Sequence, residues 1–363
     1  MKIIKIGAPQ KIMRNNHSKH NYFAWPTAAR LQNGKIAVVA SGYRLSHVCP
    51  FGKTVISFSE DEGESYTIPA PVIDTVLDDR DGGILAFGKG GVMVTSFNNA
   101  TAFQESVIIK DMEARQGKKG IWDDYKLAYL RTVSPQEEAE ALGSHIRISK
   151  DFGTTFGELI KSPVTSPHGP CELSDGTILW VGSKFGKVNE NENRIKSYKV
   201  NPDGSFEHLG EIENIPGLYS AEPYAIELPG GKIICCIRAE NENTFTTYQS
   251  ESYDKGRTWT KPRRILNDKD GAPTHILRLS SGVLIATYGY RVSPFGIMAM
   301  FSTDEGETWD TNHEIYNNNG VSADIGYPST VELMDGSLLT VFYCHPRSEM
   351  PAVIMQQKWK LKV

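Results

Sequence analysis

The residues of this 363-residue chain best equipped for chemistry stand at the ends of its apolar, β-rich runs rather than inside them. One run is followed by Gly42-Tyr43-Arg44-Leu45-Ser46-His47, and the next is preceded by Asp78-Asp79-Arg80-Asp81-Gly82-Gly83. Later runs open with His168-Gly169-Pro170-Cys171-Glu172, with Ser220-Ala221-Glu222-Pro223-Tyr224, with His275, and with Asp324-Ile325-Gly326-Tyr327-Pro328. Others end at Arg238, at Tyr290-Arg291, and near His345 and Arg347. Arginine, histidine and carboxylate side chains grip anions and move protons. Any one of them alone reads as a solvated loop charge. Recurring at the same place relative to the apolar runs, they read as the lining of one functional cleft.

The elements that must carry them announce themselves by repetition. Ser-x-Asp-x-Gly-x-Ser/Thr-aromatic occurs four times, at Ser59 to Tyr66, Ser149 to Phe156, Ser252 to Trp259 and Ser302 to Trp309. The Asp caps backbone N–H groups of a tight turn, the Gly supplies a positive φ, and the aromatic is expected to tuck against the hairpin it closes. A second signal is an apolar strand, a glycine turn and another apolar strand, centred on Gly34, Gly91, Gly176, Gly231, Gly282 and Gly336. The gaps between these markers are 57, 85, 55, 51 and 54 residues. A unit of roughly 50 residues with four short strands has the size of a propeller blade.

The four boxes resemble the Asp-box repeat of the sialidase superfamily, whose fold is a six-bladed β-propeller. The chain is therefore expected to be all-β, one six-bladed domain over residues 1–363. The last unit has three obvious strands ending in Ala352 to Leu361, and Lys2 to Gly7 is expected to supply its fourth and close the ring. The long second gap marks an insertion at residues 98–142, between strands two and three of the second blade. Within it Ser134-Pro135-Gln136-Glu137-Glu138 reads as a helix start, so the insertion is either a helical flap or a surface decoration.

In a propeller the loops before strand one and after strand two share a face, and this gathers the polar segments on one rim. The resemblance gives them roles. Sialidases hold a substrate carboxylate with three arginines and attack the anomeric carbon with a tyrosine activated by a glutamate, while an aspartate serves as acid/base. Tyr327 matches the nucleophile, Glu222 its base, and Arg238 and Arg291 two of the arginines. A neutral phenol approaches an anomeric centre bearing a carboxylate with less repulsion than an anionic nucleophile, and a carboxylate neighbour removes its proton. Two positions depart from the family. The strand expected to hold the first arginine reads Phe23-Ala24-Trp25-Pro26, and the acid/base loop, Arg44 to Phe51, has no carboxylate. Arg44 or Arg80 could complete the grip, and His47, Asp79 or Asp81 could supply the acid. His168, His275 and Arg347 join the substrate-binding set. The departures favour a different acidic sugar or a modified sialic acid.

Blander readings stand beside these. Tyr327 could be a packing aromatic in the channel, Glu222 a salt-bridge partner of Arg238, Asp79-Arg80-Asp81 an ion-pair knot between two blades, and Trp25 core rather than a sugar platform. His47, His168 and His275 could ring a metal, but no ligand spacing supports one, and no cofactor is expected. The expected function is a retaining exo-glycoside hydrolase for a terminal acidic sugar. The alternatives are a non-catalytic carbohydrate-binding propeller, or a hydrolase or lyase of uronic-acid glycans using His and Asp groups. A net charge of −4 and a pI near 6.2 argue against nucleic-acid and membrane-surface partners, and the resemblance implies a carbohydrate as the expected one. Five cysteines without CxxC spacing read as buried thiols. With no leader segment evident, the protein is expected to be cytoplasmic, or secreted if a leader was trimmed, and monomeric.

Overall fold

The apolar runs are hydrophobic on both faces, and this decides how they pack. In the strand Ile233–Glu240, Ile233, Cys235 and Ile237 join one buried cluster while Ile234 and Cys236 join another. Alternate residues of a strand point to opposite faces, so such a strand must lie between two other sheets. Stacking sheets face to face in a ring satisfies every one of them. The computed structural model, which describes residues 1–15, 17–189, 192–267 and 271–362, is this ring: six antiparallel sheets, a six-bladed β-propeller. Six apolar clusters fill the six interfaces between adjacent blades.

The innermost strands are Tyr22–Arg30, Arg80–Phe87, the broken pair Val164–Thr165 and Cys171–Glu172, Tyr219–Glu227, Thr274–Arg278 and Gly326–Glu332. Consecutive ones touch in ring order, and the sixth returns to the first. Closure follows the expected route: Lys2–Met13, longer than anticipated, pairs antiparallel with Val353–Lys362 and completes the sixth sheet. Three helices, α1 (Thr101–Ala114), α2 (Asp123–Leu130) and α3 (Pro135–Ala141), fall between Gly91–Phe97 and Ser144–Ser149 of the second blade. Ser134 caps α3 in a reciprocal capping box with Glu137, and Pro135 takes the first turn.

The Asp boxes work as read, with one correction. Ser59 Oγ donates to Asp61 (2.8 Å) and accepts from the Gly63 N–H (2.8 Å), while Asp61 accepts from the N–H (2.9 Å) and hydroxyl (2.5 Å) of Ser65. The aromatics, however, reach the preceding blade as well as their own hairpin. Tyr66 donates to Gln356, Trp259 to Ser197, and Trp309 to Gln249, so these three boxes staple their blades to the ones before. All five cysteines are buried and free. No helix among the described residues is long and apolar enough to cross a membrane.

Candidate active site

Four innermost strands share one irregularity. Trp25, Asp81, Glu222 and Tyr327 all have left-handed φ, between 49° and 54°. In each strand the register with its neighbour skips at that residue and the next, between Ala24 and Thr27, Arg80 and Gly83, Ala221 and Tyr224, and Gly326 and Ser329. These are bulges, which re-aim a side chain at the cost of about 1–3 kcal/mol of backbone strain for a non-glycine residue. Proline or glycine follows each bulged residue (Pro26, Gly82, Pro223, Pro328), which suits a position withdrawn from the ladder. The third and fifth blades instead carry glycines with positive φ, Gly169 immediately before Pro170 and Gly271 two residues before Pro273. Four equivalent bulges thus hold three reactive side chains and one large aromatic.

Tyr327 and Glu222 meet across the channel. The Tyr327 hydroxyl donates to Glu222 Oε1 at 2.5 Å, and Arg238 Nη1 donates to Glu222 Oε2 at 2.8 Å and to the Tyr327 hydroxyl at 3.5 Å. Burial, with the Glu222 and Asp81 carboxylates close by, raises the Tyr327 phenol well above its usual value, so it rests neutral and donates. Arg238 is doubly engaged, since Glu240 accepts from its Nη2 at 2.7 and 2.9 Å. Arg291 lies over the rings of Phe245 (5.1 Å) and Tyr327 (6.0 Å). It donates to the Ile325 carbonyl at 3.0 Å and to the Tyr343 hydroxyl at 3.4 Å, and among the described residues no carboxylate pairs with it. A sequestered guanidinium without a counter-ion is poised to receive an anion.

The acid candidates separate by environment. Asp81 faces the cavity, and burial, opposed by Arg80 and reinforced by Glu222, pushes its carboxyl up to about 7. One of its oxygens is shielded without a hydrogen bond. Asp79 is also pushed up to about 7 by burial, but it points away from the cavity and accepts from the Thr75 N–H (2.6 Å), the Thr75 hydroxyl (3.0 Å) and Asn98 (3.4 Å). His47 is half open (52% exposed) and sits 3.4 Å from both Arg80 Nη2 and Asp324. Desolvation in this concave wall outweighs its bond to Asp324 and, with the Arg80 cation, lowers its pKa.

The remaining candidates divide between the site and its supports. Arg44 is fully buried against Asp78 (2.6 Å), so it belongs to an ion-pair knot between blades rather than to the grip. Arg80 stays near the centre, its guanidinium 4.2 Å above the Trp25 ring. Trp25 is 2% exposed core, floor rather than platform. His168 and His275 lie beneath the site, packed with Tyr224, and burial holds both neutral, His168 down at about 3. Arg347 is exposed in a turn at the rim. Among the described residues no three His, Cys, Asp or Glu side chains cluster as a metal site. Sequence reasoning missed the role of Asp324, which accepts from Tyr22 (2.8 Å), Tyr343 (2.8 Å) and His345 (2.9 Å), and whose acidity these bonds and His47 strengthen despite burial. It also missed Glu240. The bulge signature, a reactive residue followed by Pro or Gly at the start of a blade, was available and would have ranked Asp81 with Glu222 and Tyr327.

Asp81, Glu222, Arg238 and Glu240 form one end of a cavity of about 920 Å³. It runs outward between the start of the insertion (Asn98 to Phe103) and the third and fourth blades. The insertion is thus a wall of the cavity. Its base is pinned by Asn98, which bonds Ala141 and Gly143, and Lys126 of α2 reaches Ser46 beside His47.

Known structures repeat this ring. A Dyadobacter fermentans protein of unknown function superposes with a TM-score of 0.75 at 19% identity, covering 99% of both chains. A leech intramolecular trans-sialidase complexed with 2,7-anhydro-Neu5Ac gives 0.66 at 14% identity over 98% of this chain and 70% of its own. A Penicillium chrysogenum alpha-L-arabinanase complexed with arabinobiose gives 0.61 at 13% over 99% and 98%. At these identities the likeness is one of fold. No curated protein matches the sequence. The model of the BNR repeat-like domain matches residues 121–340, from the insertion through the last three Asp boxes to the sixth blade, and the chain accordingly belongs to the BNR repeat-like family, on a sialidase-type propeller.

Proposed function

We propose that the protein is a retaining exo-glycoside hydrolase that releases a terminal acidic sugar, sialic acid or a close relative, with Tyr327 as nucleophile. The observation that carries this reading is the 2.5 Å hydrogen bond from Tyr327 to Glu222, with Arg238 on both partners. In the first step the Tyr327 oxygen attacks the anomeric carbon and its proton passes to Glu222. The glycosidic bond breaks, and the leaving oxygen takes the proton of Asp81. In the second step water attacks the same carbon and gives a proton to Asp81. The bond to Tyr327 breaks, and its oxygen recovers the proton held by Glu222. Arg238, Arg291 and Arg80 hold the sugar carboxylate. The family and the shared propeller support a sugar as substrate, and the unpaired Arg291 supports an acidic one.

Two observations favour the carbohydrate-binding alternative: Tyr327 is 4% exposed, and Arg238 already carries two carboxylates. Turnover of a fluorogenic α-sialoside and a panel of fluorogenic uronides, by wild type and Tyr327→Phe, separates the readings. The expected result is cleavage of an acidic sugar that falls at least about a hundredfold in the variant, with unchanged melting. Activity within a few-fold of wild type removes the tyrosine from the mechanism. Saturable binding without product on every substrate replaces the hydrolase with a binding module.

A further inference from the structure

The cavity is larger than one sugar needs, and its charge changes along its length. At about 920 Å³ it stands near the top of the ordinary range for ligand pockets, about 300–1,000 Å³, and has room for more than one ring. Asp81, Glu222 and Glu240, with Arg238, occupy its inner end. The charged residues lining the outer part are Lys184, Lys187 and Arg194, and aromatic surface comes from Phe103, Phe185 and Tyr219. Phe103 of α1 and Tyr219 of the fourth blade are each 49% exposed, unusual for rings in a folded domain and suited to stacking on sugar faces.

Two of the three cations there are not neutralised by their surroundings. Lys184 holds Glu192 through both oxygens at 2.8 Å, but Glu192 is shared with Lys196, which also pairs with Glu211. Two acids therefore balance Lys184 and Lys196, and Arg194 and Lys187 have no acidic partner among the described residues. The Arg194 guanidinium lies 4.4 Å over the Tyr219 ring, and its Nε is shielded from water with no hydrogen-bond partner. A cation fixed on an aromatic platform, with no acidic partner, can meet an anion through its terminal nitrogens.

We propose that this outer part is a subsite for the sugar on the leaving-group side, and that it selects a second sugar bearing an anionic group, a sulfate ester or a carboxylate. The assignment rests on the glycosidase reading, which puts the proton donor Asp81 at the departing oxygen and so directs the rest of the glycan away from Tyr327, along the cavity. The ring stacks between Phe103 and Tyr219, and Arg194 and Lys187 meet its anion.

Calorimetric titration of the Tyr327→Phe protein with three α-sialyl-galactosides tests it without consuming the ligand: one unmodified, one 6-O-sulfated on galactose, one with galacturonate in place of galactose. The expected result is that at least one anionic probe binds about three- to fivefold more tightly than the unmodified one, the span of a partly exposed ion pair. The preference shrinks on raising salt from about 0.05 to 0.3 M. It is reduced in Lys187→Ala, a surface change that leaves the fold alone, and abolished in Arg194→Ala. Sulfate and carboxylate arms say which anion is taken. Equal binding of all three probes, no binding of any, or a preference unchanged in both variants overturns the subsite. Wild-type turnover is scored separately: selective binding without hydrolysis removes the tyrosine mechanism and keeps the anion-selective site but not its leaving-group assignment, whereas hydrolysis without selectivity removes the site and keeps the mechanism.

Discussion

Asp81 and Glu222 take the same kind of bulge in two different blades, and their surroundings suit them to opposite tasks in the proposed mechanism. The Asp81 carboxyl is moved from 3.8 to about 7 because burial removes its hydration while Arg80 stands only at its edge, 4.0 Å away. A group half-protonated at neutrality suits a proton donor. For a substrate with a poor leaving group, kcat/KM is expected to fall about tenfold per pH unit above about 7. Asp81→Asn should abolish that limb and cost about 10²–10⁴ in rate, while sparing kcat/KM, though not kcat, for aryl glycosides whose phenolate leaves unaided. A limb that survives in Asp81→Asn would transfer the role to another group, His47 first. The same shift bears on stability. The unfolded chain ionises Asp81 before the folded one does, so stability from this group declines as pH rises from about 4 to about 7. Glu240 makes a different claim on the chemistry, because it fills the Arg238 fork that a substrate carboxylate would use. Glu240→Gln is expected to lower KM for the acidic substrate several-fold with kcat little changed, and a raised KM would show that Glu240 itself contacts the sugar.

The insertion illustrates what a single element adds to an otherwise repetitive scaffold. Its two ends are joined by Asn98, whose backbone N–H donates to the Gly143 carbonyl (3.0 Å) and whose side chain donates to the Ala141 carbonyl (2.9 Å) and accepts from the Gly143 N–H (2.9 Å). Asp79 backs this clasp from below, which is why a residue that reads as catalytic in the sequence serves as a support. Asn98→Ala leaves buried backbone groups unpaired at about 1–3 kcal/mol each. The expected outcome is earlier proteolytic cleavage within residues 98–142 and a raised KM for long substrates, with a smaller effect on a monosaccharide glycoside. Equal effects on both would place the insertion's influence on the catalytic centre itself. The helix start at Ser134 was legible because capping is local chemistry. Where the helices dock was not, because contacts such as Tyr129 to Val76 and Phe51 against Tyr125 join segments more than fifty residues apart.

The ring as a whole depends on its closure. Lys2–Met13 covers the outer edge of Val353–Lys362, and Met13 joins the cluster that seals the sixth blade against the first. Deleting residues 1–13 exposes an unpaired strand edge and is expected to lower Tm by about 5–10 °C, with faster aggregation on heating, measured by calorimetry and light scattering. A melt within about 2 °C of wild type would mean that the ring holds without its latch. Between blades the same stitch recurs. Glu172, Glu227 and Glu332 each accept from a backbone N–H of the preceding blade's hairpin, at Gly88, Ser174 and Ser280. These stitches and the Asp-box aromatics make each blade's position depend on its predecessor, and the four bulges are thereby held facing one centre.

Repetition made the architecture readable from the sequence alone. The boxes, the glycine turns and the apolar runs are local signals, and each fixes a hairpin without knowledge of the rest of the chain; six hairpin pairs of blade length leave a closed ring as the arrangement that buries both faces of every sheet. The residue types at the rim were readable for the same reason, since strand register fixes which loops share a face. What the sequence did not settle is which of several arginines and acids serve the site. Arg44 and Arg80, or Asp79 and Asp81, are alike in residue type, yet Arg44 is locked at 2.6 Å against Asp78 while Arg80 stands over Trp25, and Asp79 is held by Asn98 while Asp81 lines the cavity. That choice rests on burial and on partners contributed by other segments, often from other blades. Only the closed ring brings those partners within hydrogen-bonding distance.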